Sequence, residues 1–164
     1  MTGTRVRRAR ECDLAELFEL ERSIATAPHW PRTAYSAILA DDIFAPRRCL
    51  LVADGLVGDP PGLRGFAIGV VHPAGDAELE SVAVAETARR QGIGAALCEG
   101  VAQWCGAEGA TELLLEVRAA SAGAIALYSR LGFVVVGRRA GYYRDPADDA
   151  LLMRLELKAC AEPR

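Results

Sequence analysis

Apolar and polar positions change period several times along the chain, and each change marks an element. "TRVRRA" (4–9) alternates and predicts a first strand. Asp13 with Glu16 three residues on has the form of a capping box, and Leu14, Leu17, Phe18 and Ile24 then fall on one helical stripe. "HWPRTAYSAILA" (29–40) predicts a short second helix with Pro31 near its first turn. "RRCLLVAD" (47–54) reads as a strand, and "GLVGDPPG" (55–62) as a hairpin-type loop rich in breakers. "LRGFAIGVV" (63–71) and "AELESVAVA" (77–85) predict two more strands.

A helix is expected after Gly94, with Leu97, Val101, Trp104 and Cys105 on its buried side. "TELLLEVR" (111–118) has the continuous apolar centre of a strand covered on both faces. Ser121 can cap a helix over 122–131 that ends at Gly132. "FVVVGRR" (133–139) and "ALLMRLEL" (150–157) close the chain as strands. The order β-α-α-β-β-β-α-β-α-β-β is mixed α/β, with no repeat and no linker that divides it. The expectation is one domain over residues 1–164, with the last few residues a flexible tail.

Composition narrows the function. The chain is 51% apolar, enough for a good core, and 19 basic against 22 acidic residues give a net charge of −3. That balance has no electrostatic footprint for nucleic acid. No run of 18 uncharged apolar residues exists to span a membrane, and "MTGTRVRRARECD" lacks the apolar core of a signal peptide. Five cysteines (Cys12, Cys49, Cys98, Cys105 and Cys160) form no C-x-x-C pair, and His29 and His72 are the only histidines. The pattern suits a reducing cytoplasm and no metal site. Cys98 and Cys105, seven apart, share a helix face as small apolar residues.

Candidate chemistry centres on "RRQGIG" (89–94), which lies between a strand and a helix. Gly92 and Gly94 alone make a strand-to-helix turn. They also suit a phosphate, because N–H groups at a helix start carry partial positive charge and glycine admits close approach. A dinucleotide fingerprint needs a third glycine where Leu97 stands, and too little chain follows for that fold. A P-loop needs Gly-Lys-Ser/Thr, which is absent.

With "SVAVAETARRQGIGAALCE", "LLLEVRAASAGAIALYSRLGF" and "RRAGYYRDPADDALLM" added, the chain resembles the GNAT-family N-acetyltransferases. Their hallmark Arg/Gln-x-x-Gly-x-Gly/Ala reads here Arg89-Arg90-Gln91-Gly92-Ile93-Gly94. Within that family it is similar to the RimI-type enzymes, which acetylate the N-terminal alanine of a ribosomal protein. The motifs lie within residues 80–153; the N-terminal half matches more loosely, through "PHWPRTAY" (28–35). The resemblance implies a mostly antiparallel mixed sheet of about seven strands flanked by about four helices.

It also implies site residues. Backbone N–H groups of Arg89, Arg90, Gln91, Gly92, Ile93 and Gly94 would hold the pyrophosphate of acetyl-CoA, and Val82, Ala83 and Val84 would pair with its pantetheine arm. Glu116 matches the catalytic glutamate, and burial of a carboxylate would improve it as a base. Read without the resemblance, Glu116 is equally a structural anion paired with Arg118 or another arginine. Tyr128 matches the tyrosine that protonates the departing thiolate; otherwise it is an amphipathic-helix residue beside Ile125 and Leu131. Ser121 stands where many relatives have an asparagine that contacts the cofactor, and its reach is shorter.

On the acceptor side, Tyr142 and Tyr143 match a loop that closes over a peptide N-terminus, and Trp30 lies where the family frames its acceptor groove. The tyrosines read otherwise as a hairpin pair packed on the sheet, and Trp30 as core. His72 is read as structural, and Asp148 and Asp149 as surface groups. The implied function is acetyl transfer from acetyl-CoA to a protein N-terminus by direct attack in a ternary complex, in the cytoplasm. The implied acceptor is alanine of a small-subunit ribosomal protein. Broader N-termini, lysine, small amines, or an acyl-CoA binding module without turnover remain as alternatives.

Overall fold

A computed structural model describes residues 4–40, 46–55 and 58–158. The expected tail and Cys160 lie outside the described residues, as does part of the 55–62 loop. Seven strands form one sheet: β1 (Arg5–Arg8), β2 (Arg47–Asp54), β3 (Leu63–Val71), β4 (Ala77–Val84), β5 (Glu112–Arg118), β6 (Val134–Arg144) and β7 (Ala147–Glu156). Four helices cover it: α1 (Leu14–Ser23), α2 (Arg32–Leu39), α3 (Ile93–Ala107) and α4 (Ala122–Arg130). The strand order is β1-β2-β3-β4-β5-β7-β6, and only β4 and β5 run parallel. This is the GNAT arrangement that the motifs imply.

The helices sort by sheet face. Leu14, Leu17 and Tyr35 pack on Leu50, Val52, Phe66, Ile68 and Ala83. Ile93, Leu97, Val101, Cys105 and Tyr128 pack on Leu51, Ala67, Leu113, Leu115, Val117 and Met153. Alternation along β2 and β3 assigns adjacent residues such as Leu50 and Leu51, or Phe66 and Ala67, to opposite clusters, as a pleated strand covered on both faces requires. Two glycines of β3 seat α3. A Cβ at Gly65 would stand 3.1 Å from Leu97, and one at Gly69 would overlap Val101.

The α1–α2 cluster ends at Ala83, and no residue of β5, β6 or β7 belongs to it. Leu113, Leu115 and Val117 face α3 and α4, so Glu112, Leu114, Glu116 and Arg118 look out from the other face.

The sheet also splits. β4 pairs with β5 only at Ala77↔Leu113 and Glu78↔Leu114, whereas β3 follows β4 to Val84 and β7 follows β5 to Arg118. A register shift in the β3–β4 ladder passes over Glu80, and such a bulge bends and twists a strand. Arg48 grips the Glu80 carboxylate from β2 at 2.9 and 3.0 Å and fixes the bulge. Beyond it, Ser81–Val84 keeps a ladder partner on one side only.

Several local expectations change. α2 starts at Arg32, with Pro31 at its N-cap, which leaves His29 and Trp30 in the preceding loop. The Asp13–Glu16 box does not form: Asp13 binds Arg7 and the Arg10 N–H, and Glu16 accepts the Leu63 N–H at 2.7 Å. Phe18 is only half-buried, stacked by Arg22 and Arg32, and Trp104 is half-buried beneath Arg8. β6 and β7 run longer than their apolar runs, because the breakers of "YYRDPADD" serve a tight hairpin rather than a loop.

Candidate functional site

The glycine turn follows β4 through a short 3-10 turn over Glu86–Ala88. Arg90 and Gly92 adopt positive φ, 60° and 81°, and Gly92 is the N-cap of α3. No side chain caps this helix, and its first backbone bond runs from the Ala96 N–H to the Gly92 carbonyl at 3.0 Å. The N–H groups of Ile93, Gly94 and Ala95 therefore precede any intrahelical acceptor. A Cβ on Gly92 would meet nothing within 4 Å, so the turn opens onto free space, while one on Gly94 would stand 3.2 Å from Leu127. Gly92 thus serves backbone shape and access, and Gly94 lets α3 close on α4. Arg89, Arg90 and Gln91 are exposed, and the Ile93 side chain is buried.

Uncapped donors, a left-handed turn and open space fit the pyrophosphate of coenzyme A. Val82, Ala83 and Val84 lie on the split part of β4, whose free edge suits an extended arm. Ser121 occupies the N-cap of α4, but its hydroxyl makes no capping bond; its N–H donates to the Arg118 carbonyl at 3.0 Å and its carbonyl accepts the Ile125 N–H at 3.0 Å. The expected cap is thus absent and the hydroxyl is left for another partner.

Glu116 is not buried, contrary to expectation: its side chain is 31% exposed. Its ion-pair partner is Arg139 of β6, Nη1 to Oε1 at 3.3 Å, rather than Arg118. Glu116, as a charged acceptor for the Tyr142 hydroxyl, pushes that phenol upward. Tyr142 meets Tyr143 edge-on at 5.1 Å, and Arg139 lies over the Tyr142 ring at 5.6 Å. Burial, then the charge of Glu116, raises the Tyr143 phenol.

Tyr128 comes from α4 on the opposite face and is 7% exposed. Burial foremost, then the neighbouring Cys98 and Tyr143, pushes its phenol above the usual range. Tyr143 lies within electrostatic reach of both Glu116 and Tyr128. The carboxylate stands on one face of β5 and the phenol packs on the other.

The structure brings Glu116, Tyr128, Tyr142 and Tyr143 together. Trp30 sits apart, with its ring 6.0 Å from Tyr35 and its N–H on Oε1 of the fully buried Glu21 at 2.8 Å. His72 pairs with Glu78 at 3.8 Å on the sheet surface. Asp148 and Asp149 are more than surface groups. Asp148 accepts the Ala120 N–H at 3.0 Å; Asp149 accepts the Gly141 N–H at 2.8 Å and Arg138 Nε at 2.7 Å. Arg139 and these two aspartates are the members that sequence reading missed. They carry no local mark: Arg139 reaches β5 past β7, and the two aspartates anchor backbone N–H groups elsewhere in the chain. Among the described residues no group of three or more His, Cys, Asp or Glu could hold a metal, and no helix is long and apolar enough to cross a membrane.

The model of the Acetyltransferase (GNAT) family matches residues 14–133. A Bacillus subtilis protein with the provisional name [ribosomal protein bS18]-alanine N-acetyltransferase is 30% identical, over 93% of this chain and 95% of its own. The Escherichia coli [ribosomal protein bS18]-alanine N-acetyltransferase is 42% identical over 50% of this chain and 57% of its own. The crystal structure of the ribosomal-protein-S18-alanine N-acetyltransferase from Escherichia coli superposes with a TM-score of 0.77 at 28% identity. That match covers 98% of this chain and 97% of the other.

Proposed function

The chain belongs to the GNAT acetyltransferase family, and on that premise we propose that its acceptor is the N-terminal α-amine of a protein, first of all alanine of ribosomal protein bS18. Its reaction is acetyl transfer from acetyl-CoA to an amine. The observation that supports the site assignment is the split of β4 from β5 beyond Glu78↔Leu114, with the uncapped Gly92 turn after β4 and Glu116 on the open face of β5. The acceptor is supported by the names of the relatives and by the open sheet face around Glu116. A ribosomal acceptor would be met in the cytoplasm.

In this reading, N–H groups of residues 89–94 hold the pyrophosphate, and the exposed Arg89 and Arg90 add attraction that salt screens over about 8–10 Å. The free edge of Val82–Val84 orders the pantetheine, with the Ser121 hydroxyl beside it. Tyr142 and Tyr143 frame the acceptor, while Trp30 packs on Tyr35 in the α1–α2 cluster. An α-amine of pKa about 7.7–8.0 is largely protonated at neutral pH. Glu116 takes its proton, directly or through one water, and the amine nitrogen attacks the acetyl carbonyl. The C–N bond forms, the strand N–H near Val84 faces the developing oxyanion, and the C–S bond breaks. Tyr128 gives its proton to the thiolate, and the surplus proton on the new amide nitrogen leaves as the intermediate collapses and restores the phenol. Burial keeps the Tyr128 phenol protonated, and the same burial makes the departing thiolate more basic than its usual pKa of about 8.5.

The test is transfer from acetyl-CoA to short peptides that begin with Ala, Ser, Met or Gly, with the bS18 N-terminal peptide and an N-blocked lysine peptide beside them. CoA release and product mass are read together. The expected result is preference for the free N-terminal alanine, with loss of about 10²-fold or more in Glu116→Gln. Transfer to the blocked lysine alone, or to none, would sink the N-terminal assignment. Full activity in Glu116→Gln would remove the base.

A further inference from the structure

We propose that Arg118 is a positioning residue that fastens the acceptor-holding β6–β7 hairpin to the strand that carries the base. The proposal rests on the reading that Tyr142 and Tyr143 hold the acceptor.

Arg118 ends β5, two residues after Glu116 and on the same face. Its guanidinium lies 4.1 Å from the centroid of the Tyr143 ring. Nη1 donates to the Pro146 carbonyl at 2.9 Å and Nη2 to the Asp145 carbonyl at 3.4 Å. Both carbonyls belong to the turn that joins β6 to β7. One planar side chain thus holds the ring that neighbours Glu116 and the backbone that carries the ring.

The hairpin needs such a hold. The β6–β7 ladder shifts register once between Val135 and Gly137, runs on to Arg139↔Ala150, then breaks over three residues and resumes only at Tyr143↔Asp148. Residues 140–142 have no ladder partner, and Gly141 has a φ of 61°. Tyr142 therefore projects from irregular backbone, and the strand pairing does not fix its direction. Within the hairpin the Gly141 N–H is held by Asp149, and the other restraints come from the β5 side. Besides Arg118, the Ala120 N–H binds Asp148 and the Ala119 N–H binds the Asp149 carbonyl at 2.9 Å. Among these, only Arg118 also touches an acceptor tyrosine. A lysine cannot reproduce the contact, since it lacks the flat face that stacks and the fork that reaches two carbonyls.

The experiment compares wild type, Arg118→Ala, Arg118→Lys, Tyr143→Ala and the Arg118→Ala/Tyr143→Ala double variant. KM for an N-terminal alanine peptide, KM for acetyl-CoA, kcat and thermal melting are measured on the full chain. Arg118→Ala is expected to raise the acceptor KM about tenfold and leave the acetyl-CoA KM within about twofold. Arg118→Lys should show most of the same rise. The double variant should be no worse than Tyr143→Ala, because Arg118 acts through that ring. Should Arg118→Ala not fold, Arg118→Lys carries the test, and wild-type kinetics in it would overturn the proposal. An effect in Tyr143→Ala with none in either Arg118 variant would overturn it too, as would additive effects in the double variant. An unchanged acceptor KM in Tyr143→Ala would instead bring down the acceptor-site reading, and this proposal with it.

Discussion

The backbone N–H of Phe133 donates to the carbonyl of Tyr128 at 3.0 Å, and the two rings meet edge-on with centroids 5.8 Å apart. Gly132 between them has a φ of 99°, and its N–H reaches the Ser129 carbonyl at 3.1 Å. This pair of bonds is the Schellman ending of a helix, whose usual companion is an apolar contact across it. "ALYSRLGF" (126–133) is thus one mechanical unit. The glycine ends α4, the chain reverses, and Phe133 clamps the tyrosine ring that α4 presents to the split.

Tyr128→Phe should keep the clamp and lose the chemistry. The ring and its contact with Phe133 survive, so melting should move little, while kcat falls about 10²-fold. The phenol has a usual pKa of 10, and burial raises it. A group that must be protonated to act stays competent below its raised pKa, so Tyr128 imposes no alkaline loss of kcat up to pH about 10. An alkaline limb centred below pH 9 that disappears in Tyr128→Phe would contradict the raised phenol, and an undiminished kcat in Tyr128→Phe would contradict the acid assignment.

Gly92→Ala should separate the two substrates. Its φ of 81° costs an L-residue about 1 kcal/mol, and no neighbour within 4 Å adds a clash. Stability should therefore drop by about that amount. If the turn holds the donor, the acetyl-CoA KM rises severalfold while the peptide KM holds. Equal change in both would show that the turn acts only through the fold.

Much of this was legible in the sequence, for a physical reason. Strand and helix periods, the Gly132 stop and the Gly92 turn are local, and local chemistry dictates them. The continuous apolar centre of β5 predicted cover on both faces, but only the face of Leu113, Leu115 and Val117 is covered, because the α1–α2 cluster ends at Ala83; this leaves Glu116 open. Cross-strand partnerships were not legible. Arg139 reaches Glu116 only because β7 lies between β5 and β6 in the sheet, although it follows both in sequence. Asp148 and Asp149 looked like solvent groups because an aspartate that anchors a distant N–H has no local mark. The Asp13–Glu16 box failed for the same reason, since Arg7 and the Leu63 N–H outbid the helix start.

The buried thiols should stay silent. Burial pushes Cys49 up to about 11 and Cys98 and Cys105 up to about 12, so the reactive thiolate is scarce at neutral pH. Of the described cysteines only Cys12 is exposed. Iodoacetamide at pH 7.5 should label Cys12 and spare the other three until the chain is unfolded, with transfer activity retained. Peptide mapping by mass reads the sites. Rapid native labelling of Cys98, with loss of activity, would reopen a covalent route.

Acid should loosen the α1 side of the fold first, through Asp13. Arg7 donates to both Asp13 oxygens at 2.7 and 2.8 Å and reaches Asp54 at 2.8 and 2.9 Å, which joins the start of β1 to α1 and to β2. The hydrogen bond from Arg7 holds the Asp13 carboxyl at about 2, below its usual 3.8; the Arg10 N–H assists and burial opposes. A depressed carboxyl stabilises the fold above its unfolded pKa and loses that contribution as pH falls through the folded one. The shift corresponds to about 2 kcal/mol, fully present above pH about 4 and gone near pH 2. Asp13→Asn should therefore be less stable than wild type by about that amount at pH 7 in urea unfolding. The gap should hold to about pH 5, then close toward pH 2 as wild type loses the same bond. A gap that stayed constant down to pH 2 would mean that Asp13 contributes packing rather than charge.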